Sequence, residues 1–206
     1  MKLHLTLHEG RLGPARYQVV RPARPVERAV VCDDAWYLNA FVDAEAARTL
    51  AGLWTLAATS PRSLVHLPLR VPGPAAGPRR LDLVLLHRSL QFAPSGWKEL
   101  RGRLDRGRPR TVTLPAPPPQ PRTDRPPVRR RAHHRAVLHQ HIHAETLFLT
   151  GSTELFREGA EVFRDVAEHG PAHTRTPARH GHYCASIRGA ARTRDVHVEY
   201  STDWAA

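Results

Sequence analysis

Apolar and polar positions alternate most clearly in the stretch TLFLT, residues 146–150. The leucines fall on every second residue, which predicts a strand that ends at Gly151. Ser152 or Thr153 comes next, and either hydroxyl can cap a helix by accepting hydrogen bonds from its first N–H groups. The apolar positions then recur at helical spacing over residues 155–167, which predicts a helix with one apolar face.

The predicted helix ends at Gly170 and Pro171, because a glycine followed by a proline is typical of a helix C-terminus. Two more alternating runs follow at residues 182–187 and 196–202. We therefore predict a C-terminal β-α-β-β unit, with one helix packed on a small antiparallel sheet.

The first half of the chain shows the same alternation in shorter runs. Strands are predicted at residues 3–7, 17–20, 28–32, 64–71, 81–86 and 110–114. Because Pro68 cannot donate a hydrogen bond to a neighbouring strand, we expect the strand at 64–71 to lie at a sheet edge. The run LDLVLL at 81–86 is the most apolar, and we expect it at the centre of a sheet.

Two helices are predicted before the linker. Asp43 is a good N-cap for a helix over residues 43–59, and Ser95 caps a short helix over residues 95–104. The predicted fold class is α+β, with small mixed or antiparallel sheets and two main helices at 43–59 and 153–168.

The character of the chain changes between residues 115 and 135, where prolines and arginines cluster and core residues are nearly absent. This composition predicts an extended linker between an N-terminal domain, 1–114, and a C-terminal domain, 136–206, which can share one sheet. The linker ends in a basic cluster, which is the candidate site for an anion or nucleic acid: Arg129, Arg130, Arg131 and Arg135.

The formal net charge of the 206 residues is +12, which by itself favours an acidic partner such as nucleic acid. Only Lys2 and Lys98 of the 31 basic residues are lysine, however. An excess of arginine together with alanine, proline and glycine is what a GC-rich bacterial genome produces, so the charge says little about function.

The two cysteines fit reduced thiols. No apolar run of the ~20 residues that span a bilayer is present, so we expect no membrane insertion and a soluble, cytoplasmic protein.

The 14 histidines carry more information than the arginines. His139, His141 and His143 are two residues apart, and so are His180, His182 and Cys184. Residues two apart on a strand point the same way, so two such strands side by side would gather imidazoles and a thiol on one face. This pattern predicts a site for zinc or another transition metal.

A second pattern joins His4 with Thr6 and His87 with Ser89, each a histidine followed two residues later by a hydroxyl. The pair resembles the twin motifs of the 2H phosphoesterases. That resemblance implies a cleft in which His4 and His87 act as acid and base while Thr6 and Ser89 hold phosphate oxygens.

A phosphate-binding loop, a dinucleotide-binding glycine motif and a nucleophile elbow are all missing from the sequence. The C-terminal unit is loosely similar to small immunity proteins of bacterial toxin systems, which implies a protein partner. We therefore expect a non-catalytic binding module for a protein, or for nucleic acid. The alternatives are a histidine-based metal protein or enzyme and a 2H-phosphoesterase-like enzyme.

Overall fold

A computed structural model describes residues 1–34, 36–70, 79–115, 137–174, 182–189 and 193–204. Within these residues the chain forms a mixed α/β structure, with three α-helices and a large, mostly antiparallel sheet. The predicted linker lies outside the described residues except for Pro115. So do its arginines, Arg129, Arg130, Arg131 and Arg135, and the predicted metal ligand His180.

Eleven strands in the described ranges join into one sheet. Their bounds are Lys2–Leu12 (β1), Ala15–Pro22 (β2), Ala29–Asp33 (β3), Leu38–Val42 (β4), Ser63–Leu67 (β5), Arg79–His87 (β6), Arg108–Thr113 (β7), His139–His143 (β8), Thr146–Gly151 (β9), Cys184–Ile187 (β10) and Val196–Tyr200 (β11).

The helices begin where the sequence provides caps. Helix α1 spans Ala44–Thr59, and the carboxylate of its N-cap Asp43 accepts a hydrogen bond from the N–H of Ala46 at 2.8 Å. Helix α2 spans Trp97–Gly102, and helix α3 spans Thr153–His173 with Ser152 as its N-cap. None of the helices in the described part of the chain is long and apolar enough to cross a membrane.

The sheet branches at β6. This strand pairs with β5 along one stretch, with β9 along Asp82–His87 and with β3 along Arg79–Leu81. One branch continues as β5-β2-β1-β7, the second as β9-β8, and the third as β3-β4-β11-β10. The sequence predicts β6 as a central strand, and its position at the branch point confirms this.

The arrangement β-β-α-β-β occurs twice, as β3-β4-α1-β5-β6 and as β8-β9-α3-β10-β11. In each unit the first two strands pair antiparallel, and so do the last two. The second strand of each unit pairs in parallel with the last strand of the other, as β4 with β11 and β9 with β6. Strands from both predicted domains therefore contribute to one sheet.

Two clusters of buried side chains cover opposite faces of the sheet. The larger cluster lies under α1 and α3 and contains Trp54, Phe156 and Phe163. The smaller one lies under α2 and is formed around Trp97 and Phe148, which pack edge to face. Alternation along β6 supplies both clusters, since Leu83 and Leu85 belong to the first and Val84 and Leu86 to the second.

The structure differs from the sequence predictions in four respects. The predicted small sheets are one large sheet, which joins all eleven strands of the described residues. The predicted edge position of residues 64–71 is wrong, because β5 lies between β2 and β6 and ends at Leu67, before Pro68 can interrupt its hydrogen bonding. Helix α3 continues past Gly170 to His173, with Pro171 inside its last turn. Strand β4 was not predicted, because apolar Phe41 takes one of the positions that point away from the core, which hides the alternation of LNAFV.

Candidate functional site

Strands β10 and β11 form an antiparallel pair whose two faces differ in chemistry. Val196 and Val198 are buried in the core under the helices, while the intervening His197 is only partly buried and points to the opposite face. On β10, Ile187 is buried and Cys184 is exposed. The same alternation that builds the core therefore places Cys184 and His197 together on the outer face.

The hairpin is held against α3 by Tyr183. Its hydroxyl donates a hydrogen bond of 2.7 Å to the carboxylate of Asp165, and its ring packs against those of His169 and His173. Burial and this hydrogen bond raise the pKa of Tyr183, so its hydroxyl keeps its proton. Because Tyr183 is turned toward the helix, its neighbours His182 and Cys184 are turned away from it.

His182, Cys184 and His197 form a cluster in which the three potential ligand atoms lie within 4.8 Å of one another. The rings of His182 and His197 have centroids 6.1 Å apart. Glu199 is the cross-strand partner of Cys184, and its Oε2 lies 4.0 Å from Nε2 of His197. Two imidazoles, one thiol and one carboxylate thus share a single patch of the outer face.

The thiol at this site is protonated at neutral pH. Burial raises the pKa of Cys184, and the negative charge of Glu199 raises it further. A metal ion that binds here must displace that proton, as it does in thiolate sites generally. Two imidazole nitrogens and one thiolate sulfur suit a tetrahedral zinc ion, which has one further position for a fourth ligand.

The structure brings together only part of the histidines that the sequence suggests as ligands. His139, His141 and His143 do share one face of β8, and the rings of the last two stack with centroids 6.3 Å apart. However, β8 pairs with β9 in the described structure, whereas β10 pairs with β11. No histidine of β8 belongs to the group that His182, Cys184 and His197 form in the described residues. Strand β8 meets the other end of the hairpin, where the side chain of Gln140 donates a hydrogen bond to the carbonyl of Arg194, and His141 lines a pocket of about 250 Å³ beside Arg194.

His197 and Glu199 are missing from the predicted set of ligands. The alternation in VHVEY already predicts a strand with both side chains on one face. The alternation does not show which strand lies beside residues 196–200, so the proximity of His197 to Cys184 is known only from the pairing of β10 with β11.

The four residues that resemble the 2H phosphoesterase motifs are not gathered in one place. His4 lies on β1 and His87 at the end of β6, with β2 and β5 between them, so the strands are roughly 14 Å apart. The two imidazoles also point to opposite faces of the sheet. His4 precedes Leu5, which belongs to the cluster under α1 and α3, so His4 points to the α2 face; His87 follows Leu86 of the α2 cluster, so it points to the other face. Each is bonded locally instead: His4 to Thr111 at 3.3 Å, and His87 to Ser89 at 2.7 Å.

Comparison of the chain with family models, with curated proteins and with solved structures finds no match. Its function therefore has to be inferred from the chemistry of its own side chains.

Proposed function

We propose that this protein binds a transition-metal ion, with zinc as the preferred metal, through His182, Cys184 and His197. The observation that carries the proposal is the approach of the three ligand atoms to within 4.8 Å of one another. Glu199 is the candidate fourth ligand, because it lies opposite Cys184 and beside His197.

The chemistry of the donors argues for zinc over magnesium or calcium. Those two ions take oxygen ligands almost exclusively, whereas zinc accepts imidazole nitrogen, thiolate sulfur and carboxylate oxygen. Copper also binds histidine and cysteine tightly, so the identity of the metal is part of the test. His182 and Cys184 are exposed, which leaves the ion open to exchange with solvent.

Metal binding of this kind is a binding function and requires no reaction at the site. Residues on two neighbouring strands would be tied together by the ion, which stabilises the β10–β11 hairpin. The predicted role in binding a protein partner or nucleic acid stays a prediction beside it.

The test is a titration of the full-length, untagged protein with Zn²⁺ against a chromophoric chelator, together with the metal content after purification without chelators. We expect one zinc per chain, and at least roughly tenfold weaker binding in Cys184→Ser and in His197→Ala, since each removes a ligand. His139→Ala is the matched control, because it removes an exposed histidine outside the cluster and leaves zinc affinity unchanged.

Co²⁺ provides a second readout that depends on the thiolate itself. A sulfur-to-cobalt charge-transfer absorption in the unmodified protein, absent in Cys184→Ser, would place the metal on this cysteine. Equal zinc affinity in the unmodified protein and in both cluster variants would refute the proposal.

A further inference from the structure

Tyr183 lies between two of the candidate metal ligands, and its side chain points away from both of them. His182 and Cys184 are exposed on the outer face, whereas the hydroxyl of Tyr183 reaches Asp165 on α3. These three consecutive residues therefore belong to two structures at once. One is the candidate metal site on the outer face of the hairpin, and the other is a contact with α3 on the opposite face.

The contact with α3 combines a hydrogen bond with ring packing. The hydroxyl of Tyr183 donates to Oδ2 of Asp165 at 2.7 Å, and Oδ1 of the same carboxylate lies 3.1 Å from Nδ1 of His169. The tyrosine ring stacks on that of His169 with centroids 6.2 Å apart, and it meets the ring of His173 at 5.4 Å. Because the three helix residues follow one another at intervals of four, they form a row on one side of α3 that holds the tyrosine.

His182 depends on this contact for its position. Strand β10 begins at Cys184, so His182 lies outside it, at a bend of the backbone. Among the described residues no hydrogen bond reaches the side chain of His182, and its ring contact is with His197, another candidate ligand. The adjacent residue Tyr183 is fixed twice, by its hydroxyl and by its carbonyl, which accepts a hydrogen bond of 2.9 Å from the N–H of Tyr200.

The other two candidate ligands are held without the help of Tyr183. Cys184 and His197 lie within β10 and β11, which pair with each other. The ring of His197 also packs on that of Tyr37, with centroids 5.6 Å apart. A weaker contact between the hairpin and α3 would therefore displace His182 before it displaces either of the other ligands.

We propose that Tyr183 is a positioning residue for the metal site, and that its docking on α3 regulates how tightly the ion binds. The inference rests on the metal binding proposed above. With Tyr183 docked, His182 already lies beside His197 before the ion arrives, so less order has to be created on binding. Since such coupling is reciprocal, a bound ion also strengthens the docking of the hairpin on α3.

The test is the titration with Zn²⁺ against a chromophoric chelator, applied to variants of the full-length chain. Tyr183→Phe removes only the hydroxyl and should bind zinc about 3-fold to 10-fold more weakly, the loss expected for one hydrogen bond. Tyr200→Phe is the matched control and should bind zinc as the unmodified protein does. The ring of Tyr200 also packs on α3, beside Gly170, but its hydroxyl has no hydrogen-bond partner in the described part of the chain, and the substitution leaves its N–H in place.

Two further comparisons separate the positioning of His182 from a general loss of structure. Asp165→Ala should weaken zinc binding as Tyr183→Phe does, and Asp165→Asn, which keeps an acceptor oxygen, should recover most of that loss. In a His182→Ala background Tyr183→Phe should cause no further loss, because the ligand that it positions is gone. Circular dichroism confirms that each variant is folded, and the two Asp165 variants keep the test decisive if Tyr183→Phe is not.

The outcomes distinguish this inference from the metal proposal itself. If the unmodified protein binds no zinc, the metal site is refuted and the role of Tyr183 with it. If the unmodified protein binds zinc, but Tyr183→Phe and Asp165→Ala bind it equally tightly, only the role of Tyr183 is overturned. An equal loss in Tyr200→Phe, or an undiminished effect of Tyr183→Phe in the absence of His182, would also overturn it, because the loss would then not act through His182.

Discussion

The burial of His66, which is only 3% exposed, has a consequence for how stability depends on pH. Its ring packs edge to face on Trp97, 4.9 Å between centroids, and its charged neighbours are Arg21, Asp82 and Arg101. Burial lowers the pKa of His66 below its ordinary value of 6.5, Asp82 opposes this shift without cancelling it, and the two arginines lower the pKa further. The unfolded chain therefore binds this proton more readily than the native protein does.

It follows that the free energy of unfolding decreases as the pH falls below about 6.5, until the lowered pKa is reached. One such proton contributes a slope of at most about 1.4 kcal/mol per pH unit. We predict that His66→Gln shows a smaller slope between pH 6.5 and pH 5, measured by urea unfolding in phosphate-free buffer. The lowered pKa of Asp82 changes the free energy of unfolding only below pH 3.8, the ordinary pKa of this group, and so outside the pH range measured here.

His139→Gln is the control for that measurement, because it removes an exposed histidine that lies outside the buried cluster around His66. Its slope should equal that of the unmodified protein. The same slope in all three proteins would mean that His66 does not resist protonation in the native state.

At the scale of elements, the two long helices meet at a glycine. A Cβ on Gly159 of α3 would lie 2.3 Å from Cε3 and Cζ3 of Trp54 on α1, a ring that is fully buried. The indole cannot move away, since Phe156 and Phe163 both pack against it. The close approach of α1 and α3 therefore requires glycine at this position.

We predict that Gly159→Ala lowers the free energy of unfolding by about 1–3 kcal/mol, the usual cost of overpacking a core. This loss appears in spite of the gain of up to ~1 kcal/mol in helix propensity. Gly102→Ala in α2 is the matched control, because nothing lies within 4 Å of its Cβ, and it should be neutral or slightly stabilising. Urea unfolding of both variants checks the pair, and equal effects would contradict the packing argument.

The elements themselves were largely predictable, because alternation and caps are local properties. Asp43 and Ser152 are the N-caps that the sequence suggests, and β1, β6 and β9 lie where leucines alternate or cluster. The pairing of the strands was not predictable, because the sequence pattern of residues 64–67 is the same for a strand at a sheet edge as for a strand between two others. Of the candidate metal site, Cys184 and His182 follow from spacing alone, whereas His197 depends on a cross-strand register.

At the scale of the whole molecule, the two β-β-α-β-β units are joined at three places. Strand β4 pairs with β11, β6 pairs with β9, and α1 packs on α3 around Trp54. Opening either unit alone would leave two strand edges unpaired and expose the apolar faces of both helices. The predicted division into domains 1–114 and 136–206 is therefore open to a direct test.

We predict that the two units open together, so that the amides of β4, β6, β9 and β11 exchange with solvent through one common transition. Native-state hydrogen exchange at increasing urea, read by mass spectrometry, should give these strands the same opening free energy and the same urea dependence. The amides of helix α2 provide the comparison, since a helix of only six residues has few internal hydrogen bonds and opens locally at lower cost. Two separate transitions, with β9 and β11 in one and β4 and β6 in the other, would show that the predicted domains unfold independently. In that case the parallel pairings between the units would contribute little to stability, and the sheet would be held together mainly within each unit.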